Sequence, residues 1–245
     1  MITSLLAPNP GPMTLEGTRT YLVPGVDGTL VIDPGPDIDA HLDAIADACP
    51  HGVTEIWLTH HHLDHSEAAP RLSERYRVPV RAADASLCID AAPLADAERQ
   101  RVGEHDVDVV ALPGHTRDSL GFVVGDALIA GDTLLGRGTT VIAHPDGDLA
   151  DYLASLNRVR ELLVDRVRRI LPAHGPDITE PVRVVEEYLA HRHERLAQVK
   201  DALARGATSA AEVVDMVYAD VPDAVRFAAE MSVEAQLTYL RGRDA

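Results

Sequence analysis

Hydrophobic residues in the first half of the chain come in short bursts, each stopped by Gly, Pro, Asp or His. Residues 18–33 read as a hairpin, with Thr20-Tyr21-Leu22-Val23 and Thr29-Leu30-Val31-Ile32 flanking a turn that contains Pro24-Gly25 and Asp27-Gly28. Asp33-Pro34-Gly35 ends the second strand. Ile38, Leu42, Ile45 and Ala46 recur at helical spacing and predict a helix over 37–49. Ile56-Trp57-Leu58 is a short buried strand that runs directly into Thr59-His60-His61-His62-Leu63-Asp64-His65.

The second half repeats this style. A strand over 107–112 ends in Pro113-Gly114-His115, and strands over 120–124 and 127–130 lead to Gly131-Asp132. A helix over 149–163 precedes the strand 169–171, which ends in Pro172-Ala173-His174-Gly175. Strands in runs with helices between them predict an α/β protein of layered sheets covered by helices. Strand after strand finishes in His or Asp, and loops held by rigid strand ends are where chemistry is placed.

From Glu180 the pattern turns helical. Residues 180–204 form one amphipathic segment, Gly206 breaks it, and Ser209-Ala210-Ala211-Glu212 fits a capping box that opens another helix. Ser232 is expected to cap the last helix. These features divide the chain into a larger α/β domain over 1–205 and a small helical module over 206–245.

Length supports that division: 245 residues suffice for one domain with a sizeable core plus an appendage. Aromatic residues make up 4% of the chain, so the core must be built from Ala, Val, Leu and Ile. A net charge of −17 favours solubility and repels polyanions and anionic membranes. Cys49 and Cys88 are far apart and fit no metal or redox spacing, which predicts two buried thiols. Met1 to Thr14 lacks a basic segment and a long apolar run, so it does not read as a signal peptide. No apolar run approaches the roughly 20 residues that span a bilayer. The expected location is the cytoplasm.

The chemistry is concentrated in His60-x-His62-x-Asp64-His65. Imidazole nitrogen and carboxylate oxygen are the usual zinc ligands where thiolates are absent. Alternate residues of an extended turn point the same way, so His60 and His62 can share one metal while Asp64 and His65 face a second. His115, Asp132 and His174, each closing a strand, extend the set to seven.

On these motifs the chain resembles the metallo-β-lactamase-fold metallohydrolases, and the likeness runs from about Thr18 to His193. The resemblance implies an αββα sandwich and two zinc ions per chain. His60, His62 and His115 take the place of the first zinc's ligands. Asp64, His65 and His174 take the place of the second's, and Asp132 that of the bridging carboxylate. Asp33 resembles an aspartate that orients the metal loop without touching metal.

Within that superfamily, Gly131-Asp132-Thr133-Leu134-Leu135-Gly136, Gly138-Thr139-Thr140-Val141 and Tyr188-Leu189-x-His191-Arg192-x-x-Arg195 look most like the β-lactamase-like protein 2 group. That group carries a winged-helix-like C-terminal module and includes single-strand RNA endonucleases. The departure is charge: residues 206–245 hold seven acidic side chains against three arginines, the wrong balance for gripping phosphates.

Two zinc ions about 3.5–4 Å apart can share one hydroxide, which would attack an electrophilic carbonyl or phosphoryl centre. Asp64 and Asp132 are the expected catalytic carboxylates, with Asp64 managing the proton. His61 and His144 read as solvated residues rather than ligands. His191 and Arg195 share one face of a helix, where they either meet solvent or close the pocket wall against an anionic substrate. Thr139 and Thr140 either line that pocket or belong to a loop made flexible by its glycines.

Three functions compete. The preferred one is hydrolysis of a small ester, thioester or lactam; the alternative is a single-strand-specific endoribonuclease; the third is a regulatory protein with a vestigial site. The intact ligand set argues against the third, and the acidic balance favours a small-molecule substrate over RNA. A secreted zinc β-lactamase would need an export signal. The flavo-diiron group has a carboxylate at the position of His62, which suits iron where imidazole suits zinc. RNA-processing relatives carry a large inserted domain for which this chain is too short.

Overall fold

The computed structural model of the chain describes residues 2–219, 221 and 225–243. Ten strands form two five-stranded sheets. The first runs, in spatial order, β1 (Thr3–Leu6), β2 (Arg19–Pro24), β3 (Thr29–Ile32), β4 (Val53–Trp57) and β5 (Val80–Arg81). The second runs β10 (Arg169–Pro172), β9 (Ala127–Gly131), β8 (Leu120–Val124), β7 (His105–Ala111) and β6 (Arg99–Val102).

Side-chain alternation along these strands explains the layering. In β2 to β4, Tyr21, Leu30, Ile32 and Trp57 face the second sheet and meet Val109, Phe122 and Ile129. The Trp57 and Phe122 rings lie 5.2 Å apart. Complete burial of a side chain such as Phe122 is worth about 1.5–3 kcal/mol, so this inter-sheet layer is a principal source of stability. The opposite face of the first sheet, with Val31 and Ile56, packs on α1 (Asp39–Ala48) and α3 (Ala69–Tyr76) through Leu42, Ile45 and Leu72. The outer face of the second sheet, with Val110, Val123 and Leu128, packs on α4 (Leu149–Asp165) and α5 (Pro181–Ala204). The architecture is the αββα sandwich. With both faces of each sheet covered, β3, β8 and β9 read as continuous apolar runs.

The two C-terminal helices, α6 (Ala210–Val217) and α7 (Arg226–Arg243), share a hydrophobic cluster with the rest of the chain. Val213, Val214, Val233 and Leu237 join Leu156, Val185 and Leu196 of α4 and α5. Ser209 caps α6 by accepting from Glu212 N. Ser232 lies inside α7, not at its start. The buried apolar stripe of Ala228, Ala229 and Val233 already runs through that turn, so tertiary packing overrides the capping preference of serine. Asp220, Asp223 and Asp244, counted above among the acids of the module, lie outside the described residues.

The irregular-looking N-terminus supplies β1, which pairs antiparallel with β2 in the register Thr3↔Leu22. Both cysteines are free; Cys49 is buried and Cys88 half-buried. Among the described residues no helix is long and apolar enough to cross a membrane.

Strand direction brings the chemistry together. β3 and β4 are parallel, β9 and β10 are parallel, and β7 runs antiparallel to β8, which runs antiparallel to β9. The C-terminal ends of β7, β9 and β10 therefore share one edge. Leu120 N donates to Thr59 O at 2.7 Å and Arg19 N to Ala173 O at 2.8 Å, joining that edge to the first sheet.

Candidate metal centre

Each residue of the cluster is delivered by a short extension beyond a strand. β4 leads through Leu58 and Thr59 to His60 and His62, and α2 (Leu63–Ser66) turns Asp64 and His65 inward. β7 leads to His115, β9 to Asp132 and β10 to His174. Gly131, at the end of β9, has φ 51°, and a Cβ there would come within 2.8 Å of the Thr59 side chain. The approach of β9 to the metal loop thus requires glycine.

All seven predicted residues converge in two groups. His60, His62, His115 and Asp132 form one, and Asp64, His65 and His174 the other. In the first, His62 Nδ1 lies 3.0 Å from His60 Nε2 and 3.1 Å from His115 Nε2. In the second, His174 Nε2 lies 3.3 Å and His65 Nε2 3.4 Å from Asp64 Oδ2. Asp132 straddles the two, with Oδ2 3.6 Å from His115 Nε2 and Oδ1 3.2 Å from His174 Nε2 and 3.5 Å from His65 Nε2.

Four of the five imidazoles are held from behind. His60 Nδ1 is 3.0 Å from Thr59 Oγ1, and His65 Nδ1 is 2.8 Å from Asp33 Oδ2. His115 Nδ1 is 2.7 Å from Val141 O, and His174 Nδ1 is 3.2 Å from Gly17 O. These contacts leave the Nε2 atoms of the four rings facing one another. Asp33 also accepts from Thr59 N and from Thr59 Oγ1, each at 2.7 Å, and so fixes both the loop backbone and His65. It does this at φ 51°, a left-handed conformation that costs a non-glycine residue of order 1–3 kcal/mol.

Electrostatics separate the rings. Burial pushes His60 well below the usual histidine range and His62 down to about 4, and the neighbouring imidazoles reinforce both shifts. Burial also dominates the downward shift of His115. For His174, burial acts downward, but the Asp132 and Asp64 carboxylates outweigh it and lift the group to about 9. His65 is raised by Asp132, Asp33 and Asp64 in the same way, against burial. Burial would raise Asp64 and Asp132, yet His65 and His174 hold both carboxyls well below the ordinary range.

These residues fit a pair of metal ions. Ligands at 2.0–2.1 Å in tetrahedral geometry lie about 3.3 Å apart, close to the spacings above. His65 Nε2 and Asp132 Oδ1 are buried without a hydrogen-bond partner, an expensive arrangement that coordination would relieve.

Of the residues read as solvated, His61 is half-buried and bonds Asp118 Oδ1 at 2.8 Å through Nδ1; His144 is half-buried. Thr139, Thr140, His191 and Arg195 put no side chain among the seven, although Thr140 Oγ1 donates to the backbone O of Asp132. They line a separate cavity of about 310 Å³ between the 139–141 segment, α5 and α7. Sequence reasoning missed Thr18 and Thr59. Thr18 Oγ1 donates to Asp64 Oδ2 at 3.0 Å. Thr59 had a local signal, its place immediately before the histidine run; Thr18 is 46 residues from its partner and had none.

Comparison with known proteins agrees with this geometry: residues 13–174 match the Metallo-beta-lactamase superfamily. The chain belongs to that superfamily. It is 33% identical to a beta-lactamase-like protein 2 homolog of Caenorhabditis elegans, over 98% of this chain and 83% of that protein. It is 29% identical to an atrochrysone carboxyl ACP thioesterase of Aspergillus fumigatus, over 90% of this chain and 74% of that protein. The fold is shared with a metallo-beta-lactamase family protein of Thermus thermophilus, with a TM-score of 0.84 at 23% identity, over 100% of this chain and 94% of the other. The chain is a metallo-beta-lactamase superfamily hydrolase with a His/Asp cluster able to bind divalent metal.

Proposed function

We propose that the chain is a dinuclear zinc hydrolase acting on a small acyl substrate, with a thioester as the bond it is best suited to cleave. The observation that carries this reading is Asp132, whose two oxygens address two separate sets of ligands. The five imidazoles favour zinc over harder oxygen-seeking ions, and the carboxylates lower the net charge of the site. Bound zinc supplies Lewis-acid polarisation of the scissile carbonyl and an activated water.

The protein residues have distinct parts in this scheme. Asp132 fixes the distance between the two ligand sets. Asp64 turns Oδ2 towards His65, His174 and the Thr18 hydroxyl, so its Oδ1 would be the atom to take up a proton from water and return it to the leaving group. Asp33 and Thr59 keep His65 and His60 from rotating. The thioester preference draws on the similarity to the fungal thioesterase and on the acidic net charge, which disfavours a polyanionic substrate.

The test is a panel assay with zinc-loaded protein against S-D-lactoylglutathione, an acyl-N-acetylcysteamine thioester, a chromogenic cephalosporin and single-stranded RNA. Zinc-dependent thioester turnover that is lost in His60→Ala is the expected result. Metal-dependent RNA cleavage with no acyl turnover would replace this reading with the endoribonuclease. Its binding should then weaken with salt at a slope of about −0.7 per phosphate contacted.

A further inference from the structure

Most arginines of this acidic protein are paired with carboxylates: Arg19, Arg81, Arg117, Arg158 and Arg166 are examples. Arg192 and Arg195 are among the exceptions, and they differ from the others in lining a cavity. They stand on α5, and among the described residues neither forms an ion pair with a carboxylate. Arg192 is 5% exposed. Its guanidinium lies 5.0 Å from the Tyr152 ring centroid, and Nη2 donates to Thr140 O at 2.5 Å. Its Nε is buried without a hydrogen-bond partner, as is His191 Nδ1. Arg195 lies 4.7 Å from the Tyr218 ring centroid and donates to Gln198 Oε1 at 2.8 Å.

All three side chains line the same 310 Å³ cavity. Its other walls include Pro12 and Met13, the 139–141 segment, Tyr218, Val221 and Val225, and the start of α7, a surface that is mostly small or apolar. The volume falls at the lower end of the roughly 300–1,000 Å³ typical of small-molecule pockets. The cavity also abuts the metal centre through shared residues. Thr140 Oγ1 donates to Asp132 O at 2.7 Å, and Val141 O lies 2.7 Å from His115 Nδ1.

A buried cation without an anionic partner is costly, and a guanidinium fork matches a carboxylate in two-point geometry. We propose that this cavity recognises a small organic anion, a carboxylate on a short apolar chain, and that it receives the non-reacting end of the substrate. The second part of this statement rests on the acyl-hydrolase reading above; the first does not. The C-terminal helix α7 then serves as a wall of the specificity pocket. Aromatic rings hold both guanidiniums in place, so the cost of ordering them is met before the anion arrives.

The experiment has two arms, both with zinc-loaded full-length protein. In the first, pentanoate binding is measured by calorimetry. Arg195→Met should weaken it at least tenfold, and Arg195→Lys, which keeps the charge but not the planar fork, at least threefold. The lysine variant decides the matter should the methionine variant not fold. Pentanoate held at the metal centre would be insensitive to Arg195, so equal affinity in the folded variants, or no binding at all to the unaltered protein, overturns the proposal.

In the second arm, glutaryl and pentanoyl thioesters of N-acetylcysteamine are compared. The ratio of their kcat/KM values should favour glutaryl and fall at least tenfold in Arg195→Met. Pentanoate binding through Arg195 without any thioester turnover leaves the anion pocket standing and removes the acyl-substrate reading. Thioester turnover with a ratio unmoved by Arg195→Met removes the pocket's role and leaves the hydrolase.

Discussion

Thr18, at the start of the first hairpin, donates its hydroxyl to Asp64 Oδ2 in the metal loop at 3.0 Å. Asn9 Nδ2 donates in turn to Thr18 Oγ1 at 3.0 Å, and Asn9 Oδ1 accepts from Thr18 N at 2.9 Å. The segment before β2 thereby orients a carboxylate of the candidate centre.

Replacing the hydroxyl by a methyl tests this link. Thr18→Val keeps the volume and removes both the donor to Asp64 and the acceptor of Asn9 Nδ2. Outer-shell partners of metal ligands are typically worth about 10–100-fold in affinity or activity. Thr18→Val should lower zinc affinity or kcat by that factor, read by chelator competition and turnover in the folded variant, with some fall in melting temperature because Asn9 Nδ2 loses its acceptor. Unaltered zinc affinity and kcat would mean that Asp64 is positioned by its own helix alone.

Asp33→Asn should have a comparable effect by another route. Asparagine tolerates the φ of 51° and can still accept from Thr59, but it removes the charge facing His65 Nδ1 at 2.8 Å. Metal affinity should fall about 10–100-fold without being abolished. Full metal content in the Asp33→Asn variant under chelator challenge would show that the charge of Asp33 is dispensable.

Asp132→Ala removes the residue common to both ligand groups. The expected outcome is the loss of at least one of two zinc ions by elemental analysis, together with most hydrolytic activity. A variant with two zinc ions and normal turnover would contradict the dinuclear arrangement.

Loading the site should release protons. His174 is lifted to about 9 by the Asp132 and Asp64 carboxylates against burial. An unfolded histidine titrates near 6.5. The raised group therefore stabilises the fold fully below pH ~6.5, and that contribution disappears as pH rises through about 9. Zinc requires the neutral ring. At pH 7 zinc binding is expected to displace a proton from His174, and apparent affinity should climb between pH 6 and 9. Calorimetry in buffers of different ionisation enthalpy measures the release directly; a proton count of zero across that range would refute it.

The sandwich was readable in the sequence because both faces of each sheet are covered, so strands such as Leu120–Val124 stand out as unbroken apolar runs. The seven clustered residues were readable because each ends a strand or sits in one compact motif. β1, β5 and β6 were not, since they are short edge or near-edge strands with mixed polarity, such as Arg99–Val102. Ser232 misled because local capping chemistry yielded to burial of Ala228, Ala229 and Val233. Thr18 escaped because its partner is chosen by sheet pairing across 46 residues, which no window along the chain contains. Thr139, Thr140, His191 and Arg195 lie around one cavity, but it needs Tyr218 and α7 to close it, and no local pattern relates those elements.

The placement of the cluster has a mechanical consequence. His60, His62, Asp64 and His65 hang from the first sheet, whereas His115, Asp132 and His174 hang from the second. Each candidate metal position draws ligands from both. A bound ion would act as a rivet through the seam between the sheets. Its removal by chelation should loosen both halves at that seam together, with faster amide exchange in the 59–62 and 131–133 segments beyond the strand ends, while Leu30, Phe122 and Ile129 deeper in the sandwich stay protected.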